Sequence, residues 1–322
     1  MLYILRRIAS SFLTVFAISV FVFFMFQVIP GDPVLSQLGI EGLADNPQTA
    51  ERLREAFELD TPVVQRYINW VTRAIQGDLG ESFQFRVSVA YLIASRLPQT
   101  FSLAIISLMA VIVFGIPLGV FLANYGHTKY GAAISVASQV FIALPSFWFA
   151  ILLIWFFAFR LNLVGMRVVI DWSDPITTLR DLILPVAALS LGGIAVVARY
   201  VRTSVLEQKS SEYVTVAMAK GMTEKQAMRR HVLRNSLIPV ITILGLVSIG
   251  LFTGSIVIEN VFTIQGIGSL LINAINVNDY PLIQGIVLYF SVLVALVGLA
   301  LDMIYVMVDP RIRSGGERRG NS

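Results

Sequence analysis

Long apolar runs separated by charged connections dominate this chain. Runs at residues 8–29, 100–123, 132–159, 182–201, 237–261 and 282–308 each approach or exceed the ~20 apolar residues that cross a bilayer as a helix. They predict six membrane-crossing helices. The first run is longer than the apolar core of a secretory signal, and no small-residue cleavage site follows it, so it is expected to stay as a helix. Between the first two runs the period shortens to that of amphipathic helices. Asn46-Pro47 reads as a cap with a first-turn proline, and Leu53 and Phe57 lie four apart. Thr61-Pro62 opens a second helix with Val64, Ile68, Val71 and Ile75 on one face, and Gly77-Asp-Leu-Gly80 punctuates it. Val89, Leu92, Ile93 and Leu97 form a further amphipathic piece before Pro98. Short helices over about seventy residues make a marginal core, so this segment should pack on the bundle or the membrane surface, as a structural collar or as a docking surface for an external partner.

A charged helical stretch lies between the fourth and fifth runs. Ser210 or Ser211 can cap a helix whose first turn carries Glu212, and Lys220 with Gly221 supplies the cation and left-handed residue suited to its end. Thr223 with Gln226 reads as a capping box opening another helix. Tyr213, Val216 and Ala217 are expected on one face, the pattern of a short helix seated in a partner's groove. Lys220, Lys225, Arg229, Arg230 and Arg234 equally suit a basic helix resting on anionic lipid, and spacing leaves both readings open.

Composition excludes a water-soluble domain, since 56% of the 322 residues are hydrophobic and only 14% charged. Basic residues of the short loops set the orientation. A cytoplasmic N-terminus puts Arg6, Arg7, Lys129, the loop from Arg199 to Arg234 and the tail with Arg311, Arg313, Arg318 and Arg319 inside. The 30–97 segment and loops carrying Arg160, Arg167 and Arg180 fall outside. The net charge of +4 therefore follows from topology, with no need of nucleic acid. No cysteine is present, which removes disulfides and thiolate metal sites.

No enzymatic constellation emerges. His127 and His231 fall in loops without a carboxylate or cysteine cluster of metal-ligand spacing, and no G-x-x-x-x-G-K-[ST] phosphate cradle occurs. Gly266-Ile-Gly268 is a lone G-x-G. A secondary carrier usually has ionisable groups at midplane, whereas Glu259 and Asp302 lie near span ends and Arg199 and Arg202 can snorkel. Gln139, Ser146, Ser190, Thr242, Ser248, Thr253 and Ser255 can line a path, though such residues more often bond to helix backbone. Gly115-Ile-Pro-Leu-Gly119, Ala143-Leu-Pro-Ser146, Leu184-Pro185 and Gly192-Gly193 read as close-packing sites, with a hinge as the lesser alternative.

Several motifs, in order, resemble one family. They are Pro30-Gly31-Asp32-Pro33, Leu59-Asp60-Thr61-Pro62, Gly77-Asp78-Leu79-Gly80, Arg96-Leu97-Pro98-Gln99-Thr100, Glu212-Tyr213 through Ala217-Lys220-Gly221, and Leu233-Arg234-Asn235-Ser236-Leu237-Ile238-Pro239-Val240. Gly254-Ser255-Ile256-Val257 with Glu259, Val261-Phe262, Gly266-Ile267-Gly268 and Asp279-Tyr280-Pro281 complete them. Together they resemble the dipeptide permease B type of permease subunit, in the peptide, nickel and opine class of bacterial ABC importers. The resemblance implies an all-α membrane protein of six transmembrane helices with the type I ABC importer permease fold. Its parts would be an N-terminal helix (1–29), an extracytoplasmic helical segment (30–97), a five-helix core (98–308) and a basic cytoplasmic tail (309–322). The core would carry a coupling loop at about 203–236, with Glu212, Tyr213, Thr215, Val216, Ala217, Lys220 and Gly221 seated on an ATPase subunit. The general importer motif E-A-A-x-x-x-G aligns with Thr215-Val216-Ala217 and Gly221, so its acidic first residue is missing. The later Ile238-Pro239 also departs from the broader I-x-L-P pattern.

The implied partners are a homologous second permease subunit, two P-loop ATPase subunits, an extracytoplasmic solute-binding protein and membrane lipid, without nucleic acid. The chain would hold no catalytic residue, cofactor or metal, with ATP and Mg bound by the partners, and would sit in the bacterial inner membrane with both termini cytoplasmic. Peptides are the expected solute. Nickel, glutathione and opines are alternatives on the same architecture, and a stand-alone carrier or channel is the alternative of another class.

Overall fold

The computed structural model describes residues 2–28, 61–163, 165 and 168–308. Outside them lie the Pro30–Pro33 motif, the helix expected after Asn46-Pro47 with Leu53 and Phe57, Leu59-Asp60, Arg167, and the tail with Arg311, Arg313, Arg318 and Arg319. Among the described residues five helices are long and apolar enough to cross a membrane, and a bent pair makes a sixth span if counted as one. The chain divides into two compact units, residues 1–98 with 269–296 and residues 99–268 with 297–322.

In the first unit α1 (Leu2–Val28) and α2 (Val63–Ile75) pack through aromatic side chains. Tyr67 meets Phe23 edge-on at 5.4 Å, Trp70 lies 5.9 Å from Phe23, and the Ser19 and Tyr67 hydroxyls are 2.9 Å apart. After α2, Gly77 adopts φ +86° and the chain closes in a Schellman motif, its N–H donating to Ala74 and that of Asp78 to Arg73. The turn that follows is fixed by a buried carboxylate. Asp279 accepts from the Ser82 hydroxyl at 2.5 Å and from the Gln84 N–H at 3.2 Å. Its other oxygen faces the Leu282 N–H at 3.4 Å, in the first turn of the last described helix (Tyr280–Val308). A carboxylate without water needs such donors, so Asp279 ties the turn after Gly80 to the start of the last helix. The second unit is built on α6 (Pro175–Lys209), whose 35 residues extend ~50 Å, well beyond the hydrocarbon thickness.

Three sequence expectations are corrected. The second span does not begin at 100. The amphipathic piece at Val89 and the apolar run form one helix, α3 (Val89–Tyr125), and Pro98 stays inside it. A widened π turn at Val111–Gly115 comes just ahead of Pro117, which has no N–H to give to the preceding turn. The run at 132–159 is not one helix. It breaks into α4 (Lys129–Ala143) and α5 (Ser146–Arg160), bent by 106°. Leu144 and Pro145 are both extended, with ψ 130° and 131°, because a proline drives the residue before it out of the helical region. The fourth span, read as 182–201, extends a further turn or more at each end.

Close packing of α3 on α6 explains two glycines. A Cβ on Gly119 would stand 2.6 Å from the Ala198 carbonyl oxygen, and one on Gly115 3.2 Å from that of Ile194. Around this contact Leu103, Val111, Leu182, Val197, Val201 and Val205 are almost fully buried. The close-packing reading of Gly115 and Gly119 holds.

Candidate functional site

The basic loop after α6 folds into α7 (Glu212–Ala219) and α8 (Glu224–Ala227). A π turn at Met228–Val232 then leads into α9 (Leu233–Val261). Its ends are fixed by local chemistry. Gly221 has φ +92°, and a full Schellman motif closes α7: the Gly221 N–H donates to Met218 at 2.9 Å and the Met222 N–H to Ala217 at 3.2 Å. The Thr223 hydroxyl accepts from the Gln226 N–H at 3.3 Å while the Gln226 side chain accepts from the Thr223 N–H at 3.0 Å, the reciprocal capping box the sequence predicts. The serines behave differently. Ser211 stands at the N-cap, but its hydroxyl donates back to Gln208, and that of Ser210 donates to Glu207.

The orientation of α7 corrects the expectation that Tyr213, Val216 and Ala217 share an outer face. Ala217 and Val214 turn inward at 9% and 4% exposure, and Val214 joins the core around Val205, Ala227 and Val232. The exposed residues are Glu212, Tyr213, Thr215, Val216, Met218, Ala219, Lys220 and Gly221. Tyr213 is pinned on the flank, donating its hydroxyl to Gln208 at 2.5 Å and meeting the His231 ring edge-on at 6.4 Å. Further along the same loop, Met222, Gln226, Arg229 and Arg230 line an open cavity of about 480 Å³. The loop thus presents a mixed apolar and cationic surface, with its inner side sunk into the helix core.

Sequence reasoning missed the residue that ties this loop to its surroundings. Lys209, the last residue of α6, donates to the Asn124 side chain near the end of α3 at 2.8 Å and pairs with Glu224, the first residue of α8, at 3.6 Å. Only the structure brings these three elements together. A cation in the last turn of a helix was the available signal, yet nothing local names its partners.

Three of the seven polar residues considered for a path bond to their own helix. Ser248 donates to Leu244, Thr253 to Ile249 and Ser255 to Phe252. The lone G-x-G also has a packing reason. Glu259 is fully buried and accepts from the Gly268 N–H at 2.7 Å. A Cβ on Gly266 would overlap the Glu259 carboxylate, so this backbone can wrap the carboxylate only without side chains. Asp174 caps the start of α6, and hydrogen bonds from the Thr177 hydroxyl and N–H hold its carboxyl below the usual range. Among the described residues no group of three or more His, Cys, Asp or Glu is placed to hold a metal ion.

A family model described as the binding-protein-dependent transport system inner membrane component matches residues 115–314, and that of the corresponding N-terminal region matches residues 1–104. The dipeptide transport system permease protein DppB of Lactococcus lactis subsp. cremoris is 35% identical over 312 residues, 97% of this chain and 99% of that protein. The oligopeptide transport system permease protein AppB of Bacillus subtilis is 32% identical over 315 residues, covering 96% of this chain and 98% of that one. Among solved structures, the MetNI methionine ABC transporter in an inward-facing conformation aligns with a TM-score of 0.53 at 19% identity, over 68% of this chain and 97% of that chain. At that identity the likeness concerns the fold.

Proposed function

The chain belongs to the family of binding-protein-dependent transport system inner membrane components, with the type I ABC importer permease fold, and from that premise we propose that it is the permease subunit of a peptide importer. It forms half of a translocation pathway and couples that pathway to ATP hydrolysis in other chains. Dipeptides and oligopeptides are the solutes, as the names of the full-length relatives suggest. The complex comprises this chain, a homologous second permease, two ATPase subunits that bind ATP and Mg, and an extracytoplasmic binding protein. It sits in the bacterial inner membrane among lipid, with both termini cytoplasmic. This subunit performs no catalysis and holds no cofactor.

The observation that carries the coupling role is the construction of α7. Its exposed side offers Glu212, Thr215, Val216 and Lys220 to a partner, while Val214 and Ala217 lock it into the core. A force on the outer face therefore acts on the spans rather than on a loose loop. Closure of the ATPases around ATP would draw α7 and the cytoplasmic ends of the spans together and open the cavity outward, and separation of the ATPases after hydrolysis would return it to the inward-opening state. Glu212, Tyr213, Thr215, Val216, Ala217, Lys220 and Gly221 serve coupling in two ways, as contacts and as supports.

Affinity purification of the tagged chain in mild detergent tests the reading. A second six-span chain and ATPase subunits should co-elute, and the reconstituted complex should take up a labelled dipeptide only with ATP and binding protein. A lone chain that transports in vesicles without ATP would overturn it in favour of a stand-alone carrier. Uptake of nickel, glutathione or an opine in place of peptide would keep the architecture and replace the solute.

A further inference from the structure

Helix α2 shows three faces about a quarter-turn or more apart on the wheel. Tyr67, Trp70 and their neighbours meet α1, whereas Arg66, Asn69, Thr72 and Arg73 form a polar side. Val64, Ile68 and Ile75, spaced i, i+4 and i+11, point elsewhere and are 63%, 55% and 82% exposed, with Val71 between them half-buried. So much ordered apolar surface is costly in water, at about 25 cal/mol per Å².

The contacts to α1 fix where this face lies. The apolar span of α1 is Leu5–Met25. The hydroxyl of Tyr67 meets that of Ser19, six residues before the end of that span and so ~9 Å inside it along the helix axis. The ring of Phe16, 6.5 Å from that of Tyr67, is deeper still. A helix tied to these positions cannot stand clear of the bilayer on the side where α1 emerges. Side chains of α1 itself, among them Leu13, Phe21 and Met25, are exposed as well. Two arginines on one side, an aromatic pair and an apolar stripe are the composition of a helix lying in the membrane interface.

We propose that α2 is an interfacial helix, its Val64, Ile68 and Ile75 side immersed in the acyl chains of the outer leaflet and its Arg66 and Arg73 side at headgroup level. It anchors the start of the extracytoplasmic segment beside α1. The inference depends on α1 crossing a bilayer and not on which solute is carried.

The chain has no cysteine, so single reporters can be introduced cleanly. Val64→Cys, Ile68→Cys and Thr72→Cys, each labelled with bimane, would be reconstituted in the assembled transporter in phosphatidylethanolamine and phosphatidylglycerol vesicles, with shallow doxyl-labelled phosphatidylcholine or aqueous iodide as quencher. Doxyl lipid should quench the reporters at 64 and 68 severalfold more than the one at 72, and iodide should show the reverse order. Quenching of all three by iodide would place the stripe in water. Quenching of 64 and 68 by neither agent would show a protein covering, from another subunit or from this chain. Either result overturns the proposal. Ile75→Cys supplies a second stripe reporter should Ile68→Cys fail to assemble, and each variant is scored only after it shows parental uptake.

Discussion

Gly221 is the point at which a single methyl group should separate folding of the proposed coupling loop from contact with a partner. Its φ of +92° closes the Schellman motif, yet a Cβ there would find nothing within 4 Å. The penalty for Gly221→Ala is therefore conformational, about 1–2 kcal/mol for an L-residue forced to left-handed backbone. That lowers the population of the closed loop ~5–30-fold relative to alternatives. Asn tolerates this region better and should cost less. Pro cannot take the required φ and also deletes the N–H that reaches Met218 at 2.9 Å, so it should open the turn outright. Uptake per ATP hydrolysed, measured in vesicles at equal subunit content, should fall in the order Gly, Asn, Ala, Pro while membrane insertion stays constant. Equal ratios for Ala and the parent would refute the claim that this turn must be closed for coupling. Equal losses for Asn, Ala and Pro would refute its conformational basis.

Further outcomes follow from the same geometry. Val216→Asp, at an exposed position, should weaken co-purification of the ATPase subunits with little change in thermal stability. Ala217→Asp buries a charge and should lower stability by several kcal/mol, visible as a fall in Tm in detergent. Lys209→Met should lower uptake per ATP hydrolysed without releasing the ATPases, with Lys209→Arg restoring part of it; full activity of the Met variant would remove the link to Asn124 and Glu224 from the coupling route. Gly266→Ala should destabilise by about 1–3 kcal/mol, because its methyl must displace the Glu259 carboxylate. The hydrogen bonds that lower the Asp174 pKa stabilise its charged form. The cap on α6 should therefore be complete at neutral pH and fade as pH falls below the unfolded carboxyl value of 3.8 and through the lower folded value, a loss that hydrogen exchange in the 175–179 region can follow and Asp174→Asn should abolish.

How far the fold was legible depended on the range of the forces involved. Gly221 and the Thr223–Gln226 box could be read because their hydrogen bonds span three to five residues and use chemistry specific to those residues. The same motif after α9 could not: Thr263 closes it at φ +54°, with the Ile264 N–H donating to Glu259 at 2.8 Å, and a β-branched residue gives no sign of that conformation. Proline was ambiguous for a related reason. Pro98, Pro185 and Pro239 lie inside helices, whereas Pro145 ends one. A membrane helix tolerates the lost hydrogen bond when neighbours satisfy the freed carbonyl, so the outcome depends on surroundings that the local sequence does not contain.

The inward turn of Ala217 belongs to the same class. Over eight residues α7 makes little more than two turns, and Tyr213, Val216 and Ala217 spread over about 100° of its wheel, so the rotation of the helix decides which of them is covered. What fixes the rotation is that Val205 on α6 and Val232 before α9 offer an apolar seat to Val214, and Ala217, one turn on, follows it. The rotation has a mechanical consequence. With Val214 and Ala217 inside, the contact face of α7 is backed by packed side chains, and interiors at crystal-like density transmit displacement rather than absorb it. Had Ala217 faced outward with Tyr213 and Val216, the helix would have offered a more apolar docking face but less support beneath it. The arrangement observed favours transmission, which is the property the proposed coupling role requires.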